Sequence, residues 1–202
     1  MTEEQWYFYR KPEHDTIYHR ATHGLPPLME GEPYGCGPHN YRAFEFALAR
    51  VKEAVQEQRP LRVFEIGFNL GYSASLFLEN GCALRSIDIR GVPRMRSAAK
   101  TLQSRGGDFE MQFEVTVDTC VRPPWTPDLA FIDGAHDYAS IRKDIRYCRD
   151  TLKVQRFLMD DWPLRYGDTE KAVLSEGLLA LHIMGSMAYC IVPEADGYFT
   201  IK

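Results

Sequence analysis

Cysteine is sparse and unpaired in this sequence. The five cysteines, at positions 36, 82, 120, 148 and 190, form no CxxC pair. An odd, dispersed set excludes a disulfide framework and a cysteine-built zinc site, and it fits reduced thiols in a cytoplasmic protein. Long apolar runs are missing too. The most apolar stretch, Leu178 to Val192, is interrupted by His182, Gly185 and Ser186 and is shorter than a membrane span. The opening residues, Met1 to Trp6, have neither a basic n-region nor an apolar h-region, so no signal peptide is expected. Neither sign of charge dominates. A net charge of −4 excludes a broad electrostatic grip on nucleic acid. No internal repeat, low-complexity segment or linker divides the 202 residues, which suffice for one domain with a sizeable core.

What is present is an alternation of short apolar runs and amphipathic segments. Residues 1–37 are polar, aromatic and turn-rich, with Trp6, Tyr7, Phe8 and Tyr9 together and several prolines. They read as a lid over a ligand site, or as an arm packed on the core or on a partner subunit of a homo-oligomer. Residues 38–202 read as the main domain. Asn40 is a reasonable N-cap for a helix in which Tyr41, Phe44, Leu48, Val51 and Val55 share one face, ending near Gln58 before Pro60. Val63 to Ile66 is a strand, and Gly67 to Gly71 a turn. Tyr72 to Asn80 is a helix closed by Gly81.

Further strands are expected at Ala83–Ile89, Phe113–Val117, Leu129–Ile132 and Arg156–Met159. Helices are expected from Pro93 to Ser104, Tyr138 to Leu152 and Glu170 to Ile183. Tyr189–Val192 and Tyr198–Ile201 flank Ala195-Asp196-Gly197, a hairpin signal. The alternation predicts an α/β fold: one Rossmann-like, doubly wound, mostly parallel seven-stranded sheet with a C-terminal antiparallel hairpin strand.

Acidic residues recur where strands should end: Glu65, Asp88, Asp118, Asp133, Asp160 and Asp161. Ligands of such sheets sit beyond the carboxyl ends of the strands, so these carboxylates should converge there. Like charges repel, so the crevice should receive hydroxyls, a cation or both. Asp88 lies 21 residues after Gly67, where a carboxylate can accept both hydrogen bonds of a ribose diol. A dinucleotide site would want G-x-G-x-x-G for its pyrophosphate. Here the spacing is Gly67-x-x-x-Gly71, and Glu65 before the turn would repel a pyrophosphate but suit an ammonium group. An adenosine ligand carrying an amino acid is S-adenosylmethionine.

The segment Glu65-Ile-Gly-Phe-Asn-Leu-Gly-Tyr-Ser-Ala74 resembles the first motif of class I S-adenosylmethionine-dependent methyltransferases, and within them the catechol and sugar O-methyltransferase branch. Phe131-Ile-Asp-Gly-Ala-His-Asp-Tyr138 and Phe157-Leu-Met-Asp-Asp-Trp162 resemble that branch's motifs after the fourth and fifth strands. The resemblance covers roughly residues 60–202. It implies that Glu65 contacts the methionine end of the cofactor. Gly67, Asn69 and Gly71 would shape the turn, Ser73 bond the cofactor carboxylate and Asp88 take the ribose. Asp118 would lie near the adenine, although the glycine that the family often has before it is absent, and Asp133 would stand at the junction of cofactor and metal.

In metal-dependent members of the family, positions matching Asp133, Asp160 and Asp161 bind Mg²⁺. Three convergent carboxylates are sensible hard ligands for a hard cation that holds a substrate hydroxyl. His136, three residues after Asp133, stands where catechol-type enzymes place a lysine base. A histidine can do that work near neutral pH. The expectation is methyl transfer to a hydroxyl of a small molecule, with Asp133 and His136 at the reacting atoms; the alternatives are a metal-independent methyltransferase acting on RNA or protein and a non-catalytic S-adenosylmethionine-binding protein.

Overall fold

The computed structural model describes residues 38–162, 168–184 and 186–193. The lid or arm expected of residues 1–37 and the strand expected at Tyr198–Ile201 lie outside them. The elements in order are α1 (Pro38–Val55), β1 (Arg62–Ile66), α2 (Tyr72–Glu79), β2 (Ala83–Asp88), α3 (Pro93–Ser104), β3 (Phe109–Phe113), β4 (Leu129–Ile132) and α4 (Tyr138–Arg146). A π-helical turn (Tyr147–Thr151) continues α4, and β5 (Arg156–Met159), α5 (Asp168–Ser175), β6 (Leu179–Met184) and β7 (Met187–Ile191) follow.

Seven strands make one sheet in the order β3-β2-β1-β4-β5-β7-β6. Strands β1 to β5 are mutually parallel, and β7 runs antiparallel to both β5 and β6. The central strands are buried on both faces, as a parallel sheet with helices on each side requires. One face packs Phe44, Leu48 and Val51 of α1, Leu76 and Phe77 of α2 and Leu102 of α3 against Val63, Leu84 and Phe131. The other packs Ile141 and Ile145 of α4 and Val173 of α5 against Phe64, Ile66, Ile132 and Met159. The strand order reverses between β1 and β4, so their carboxyl ends open the crevice where ligands of this architecture bind.

The fold class is as expected, but several element boundaries shift, most of all those of β3, of the helix after β5 and of the start of α1. β3 is Phe109–Phe113, four residues before the expected Phe113–Val117. The β-branched residues after Phe113 suggested a strand, yet the pairing with β2 runs from Leu84↔Phe109 to Asp88↔Phe113 and then stops. Glu114 takes φ 62°, which ends the strand. Tertiary register overrides β-propensity here.

The helix expected to Ile183 ends at Ser175. Gly177, at φ 73°, closes it: its N–H bonds to the Leu174 carbonyl at 3.1 Å and the Leu178 N–H bonds to Val173 at 3.1 Å. Leu179–Met184 is instead β6, the hairpin partner of β7. An apolar run of that length satisfies helix and strand periods equally well, and the glycine was the deciding signal. At the start of the domain, α1 begins at Pro38, so Asn40 lies inside the helix and is not its cap.

Candidate active site

Ladder hydrogen bonds continue one residue past the strand ends and set the site level. Gly67 N–H bonds to Ile87 O at 2.9 Å, Asp133 N–H to Ile66 O at 2.8 Å and Asp160 N–H to Ile132 O at 3.1 Å. The turn after β1 is built on two left-handed glycines, Gly67 at φ 97° and Gly71 at φ 77°. A Cβ on Gly71 would meet the Phe68 ring at 2.7 Å. Phe68 is buried under the turn, between Phe109 and Phe113. Asn69, at φ 46°, turns its N–H to Asp88 Oδ2 at 3.0 Å, and Arg90 N–H takes Oδ1 at 2.8 Å. Asp88 is 5% exposed, so backbone donors already hold the carboxylate expected to read a ribose.

Glu65 is fully buried inside β1. It receives the Ser73 hydroxyl on one oxygen and the Ser86 hydroxyl, at 2.5 Å, on the other. Ser86 is its neighbour in the β1–β2 register. Glu65 therefore lies under the first turn of α2, joined to it through Ser73. Burial, aided by Asp88, pushes its pKa up to about 7 against the two serine bonds. The folded protein thus binds this proton more tightly than the unfolded chain. The Glu65 contribution to stability should be complete below pH 4.5 and be lost as pH rises through the window from 4.5 to about 7. The displacement corresponds to about 3 kcal/mol. In urea melts at pH 5 and pH 8, Glu65→Gln should remove the Glu65 share of the fall, while Asp133 and Asp160, also raised, keep theirs. An unchanged pH dependence in the variant would assign the loss to other groups.

At the β4 and β5 ends, His136 Nδ1 lies 2.7 Å from Asp161 Oδ2. Nδ1–H donation to the carboxylate fixes the tautomer in which Nε2 carries the lone pair. Asp161 holds this position at φ 55°, a left-handed conformation that aspartate tolerates better than most residues. Its N–H bonds to Asp160 Oδ1 at 2.8 Å, and the Ser186 hydroxyl donates to the same oxygen at 3.1 Å. The β6–β7 turn thereby braces the site, and Trp162 N–H bonds to Ser186 O at 2.7 Å. The cap of α4 is Asp137, whose side chain accepts from Ser140 N–H at 3.0 Å, so His136 is not needed for capping.

One donor atom each from Asp133, His136 and Asp161 lies within 4.8 Å of the others. Burial and the surrounding Asp160, Asp161, Glu65 and Asp88 carboxylates hold the Asp133 pKa well above the usual carboxylate range. Burial pushes Asp160 up to about 6. Crowded oxygen donors with so much mutual repulsion fit a hard divalent cation. Asp160 stands beside this trio, with one oxygen already occupied by Ser186 and the Asp161 N–H.

Of the six expected carboxylates, five converge and Asp118 does not. Asp118 follows a strand that stops at Phe113, is exposed, and pairs with Lys143 of α4. Its expected position at a strand end is corrected accordingly. Nothing in the sequence singled out Ser86 or Ser186. Ser86 is an interior strand serine, and Ser186 sits just past the segment read as a helix.

No protein-family model matches the chain, and no curated protein matches it in sequence. Solved structures do. Magnesium protoporphyrin IX methyltransferase (ChlM) from Synechocystis PCC 6803 with bound SAH superposes with a TM-score of 0.58 at 10% identity, over 91% of this chain and 96% of that one. Cofactor-bound Rv0187 from MTB gives 0.56 at 18% identity, over 90% and 88%. The N-methyltransferase NodS from Bradyrhizobium japonicum WM9 in complex with S-adenosyl-l-homocysteine gives 0.51 at 15% identity, over 91% and 100%. No described helix is long and apolar enough to cross a membrane. The chain shares the fold of the class I S-adenosylmethionine-dependent methyltransferases.

Proposed function

We propose that the chain transfers the methyl group of S-adenosylmethionine to a hydroxyl of a small molecule, such as a sugar, a catechol-like compound or a natural product. The observation that carries this reading is the His136–Asp161 contact beside Asp133, on the carboxyl edge next to the Gly67–Gly71 turn. The neighbours with bound SAM or SAH support a cofactor of that kind at this edge. When bound, S-adenosylmethionine supplies an activated methyl group, and Mg²⁺ supplies charge that favours an ionised hydroxyl. Asp133, Asp160 and Asp161 would hold the metal.

The protein's part is alignment and proton transfer. The glycine turn lets backbone N–H groups approach the methionine end, with Ser73 at the first turn of α2. Asp161 fixes the ring of His136, so that Nε2 takes the hydroxyl proton as the methyl group moves in line. A second macromolecular partner is not needed for this chemistry.

Calorimetric titration with S-adenosylmethionine, followed by Mg²⁺, tests the reading. The expected result is saturable cofactor binding and a second, chelator-sensitive heat. A protein that binds no S-adenosylmethionine would end the proposal.

A further inference from the structure

The inner face of α4 carries a charge. Ile141, Ile145 and Cys148 pack on the sheet, and Asp144 is buried beside them, 9% exposed. Among the described residues nothing donates a hydrogen bond to the Asp144 carboxylate, and no cation forms an ion pair with it. Its neighbour Lys143 turns to the exposed Asp118 instead. Burial pushes the Asp144 pKa up to about 7, against the pull of Lys143. A buried acid without a donor opposes folding, and an arriving N–H group would offset that cost.

The carboxylate lies at the point where the strand order reverses. A Cβ on Gly134 would stand 3.1 Å from Ile66 Cγ2 and 3.5 Å from Asp144 Oδ2. The Gly134 nitrogen in turn lies 3.0 Å from the place of a Gly67 Cβ. Asp144 Oδ2 is therefore set against the ends of β1 and β4, where Gly134 puts no side chain over it. The other acids of this edge are engaged. Asp137 caps α4, Asp118 holds Lys143 and Asp88 accepts two backbone N–H groups. Asp133, Asp160 and Asp161 stand in or beside the cluster around His136.

Asp88 and Asp133 follow Ile87 and Ile132, which flank Ile66 at one level of the sheet. Strands lie about 4.8 Å apart, so the ends of β2 and β4 are separated by about 10 Å. A nucleoside can bridge such a gap, with its ribose at Asp88 and its base towards Gly134. Ile89, next to Asp88 and 65% exposed, offers the base an uncovered apolar surface.

We infer that Asp144 reads the base of the cofactor: its carboxylate accepts a hydrogen bond from the exocyclic amine of adenine, the role expected of Asp118. The identity of the ligand rests on the methyl-transfer reading. Hypoxanthine presents a carbonyl oxygen where adenine has the amine, so it would set an acceptor against the carboxylate.

Calorimetric titration of the full chain with S-adenosylhomocysteine and with S-inosylhomocysteine tests the assignment. Wild type should prefer the adenosyl ligand by roughly a hundredfold. Asp144→Asn presents an amide that can face either base, and it should reduce the preference by roughly tenfold or more. Asp118→Asn should keep the wild-type preference. Asp144→Asn loses no partner within the fold, so it should melt no lower than wild type; a lower melt would give the carboxylate to the fold and overturn the inference. Equal preference in wild type and Asp144→Asn, or a preference lost in Asp118→Asn instead, overturns the inference and leaves methyl transfer standing. Failure of S-adenosylhomocysteine to bind wild type overturns both.

Discussion

Gly67→Ala should leave little folded protein, with a loss of stability of roughly 4 kcal/mol or more. Gly67 sits at φ 97°, and a Cβ built there would lie 1.9 Å from the Asp133 carbonyl oxygen and 2.5 Å from its carbon. Those atoms are backbone. The Asp133 N–H is tied to Ile66 O at 2.8 Å, so the carbonyl moves only by opening the β1–β4 ladder. A domain stable by 5–15 kcal/mol, the usual range, cannot lose this much and stay well populated. Gly81→Ala is the control. Gly81 is also left-handed, at φ 72°, but a Cβ there meets nothing within 4 Å. It should cost only the conformational penalty of about 1–2 kcal/mol. Urea denaturation of both variants decides the point. If Gly67→Ala melts no lower than Gly81→Ala, the backbones at the switch point do not need their close approach.

Much of this arrangement is legible in the residues, because the relevant signals are local. Gly67 and Gly71 mark a turn that only left-handed backbone can make. The acidic residues after short apolar runs announce the strand ends, and Gly81 marks the end of α2. What escapes is decided between strands. β3 is placed by its register with β2, and that pairing competes with a β-branched run four residues later. β6 looks like the continuation of a helix until its antiparallel partner β7 is in place.

The same distinction separates the site residues. Asp133, Asp160 and Asp161 follow directly from β4 and β5, so a correct strand end puts each at the crevice. Asp118 inherits the error in β3, and in the fold it serves an ion pair with Lys143. Glu65 is the subtler case. Its position at the end of β1 is as expected, but the side-chain direction and the two serines that enclose it come from the α2 turn and from β2. Glu65, expected at the methionine end of the cofactor, is buried and joined to α2 through Ser73.

Asp133→Asn should abolish turnover while making the protein harder to unfold, and that opposition identifies the residue's purpose. In the fold, Asp133 is a buried carboxylate pressed by Asp160, Asp161, Glu65 and Asp88, with its pKa well above the ordinary range. A raised acid pKa means that ionisation opposes folding. The penalty is absent at low pH, grows as pH rises above the unfolded-state value, and is complete above the folded-state value. An isosteric amide carries no charge, so in the presence of chelator the variant should melt higher than wild type, and the gain should widen with pH. A residue kept only for structure would show the reverse. Catalysis should move the other way. A hard cation would lose one of its charged ligands, a change worth several kcal/mol in such sites, or at least a hundredfold in rate for any acceptor the wild type uses. Binding of S-adenosylmethionine should be largely retained, since its turn and Ser73 are intact, and chelation of the wild type should reproduce the rate loss. Full turnover in chelator would remove the metal from the mechanism and leave the His136–Asp161 pair to take the proton unaided.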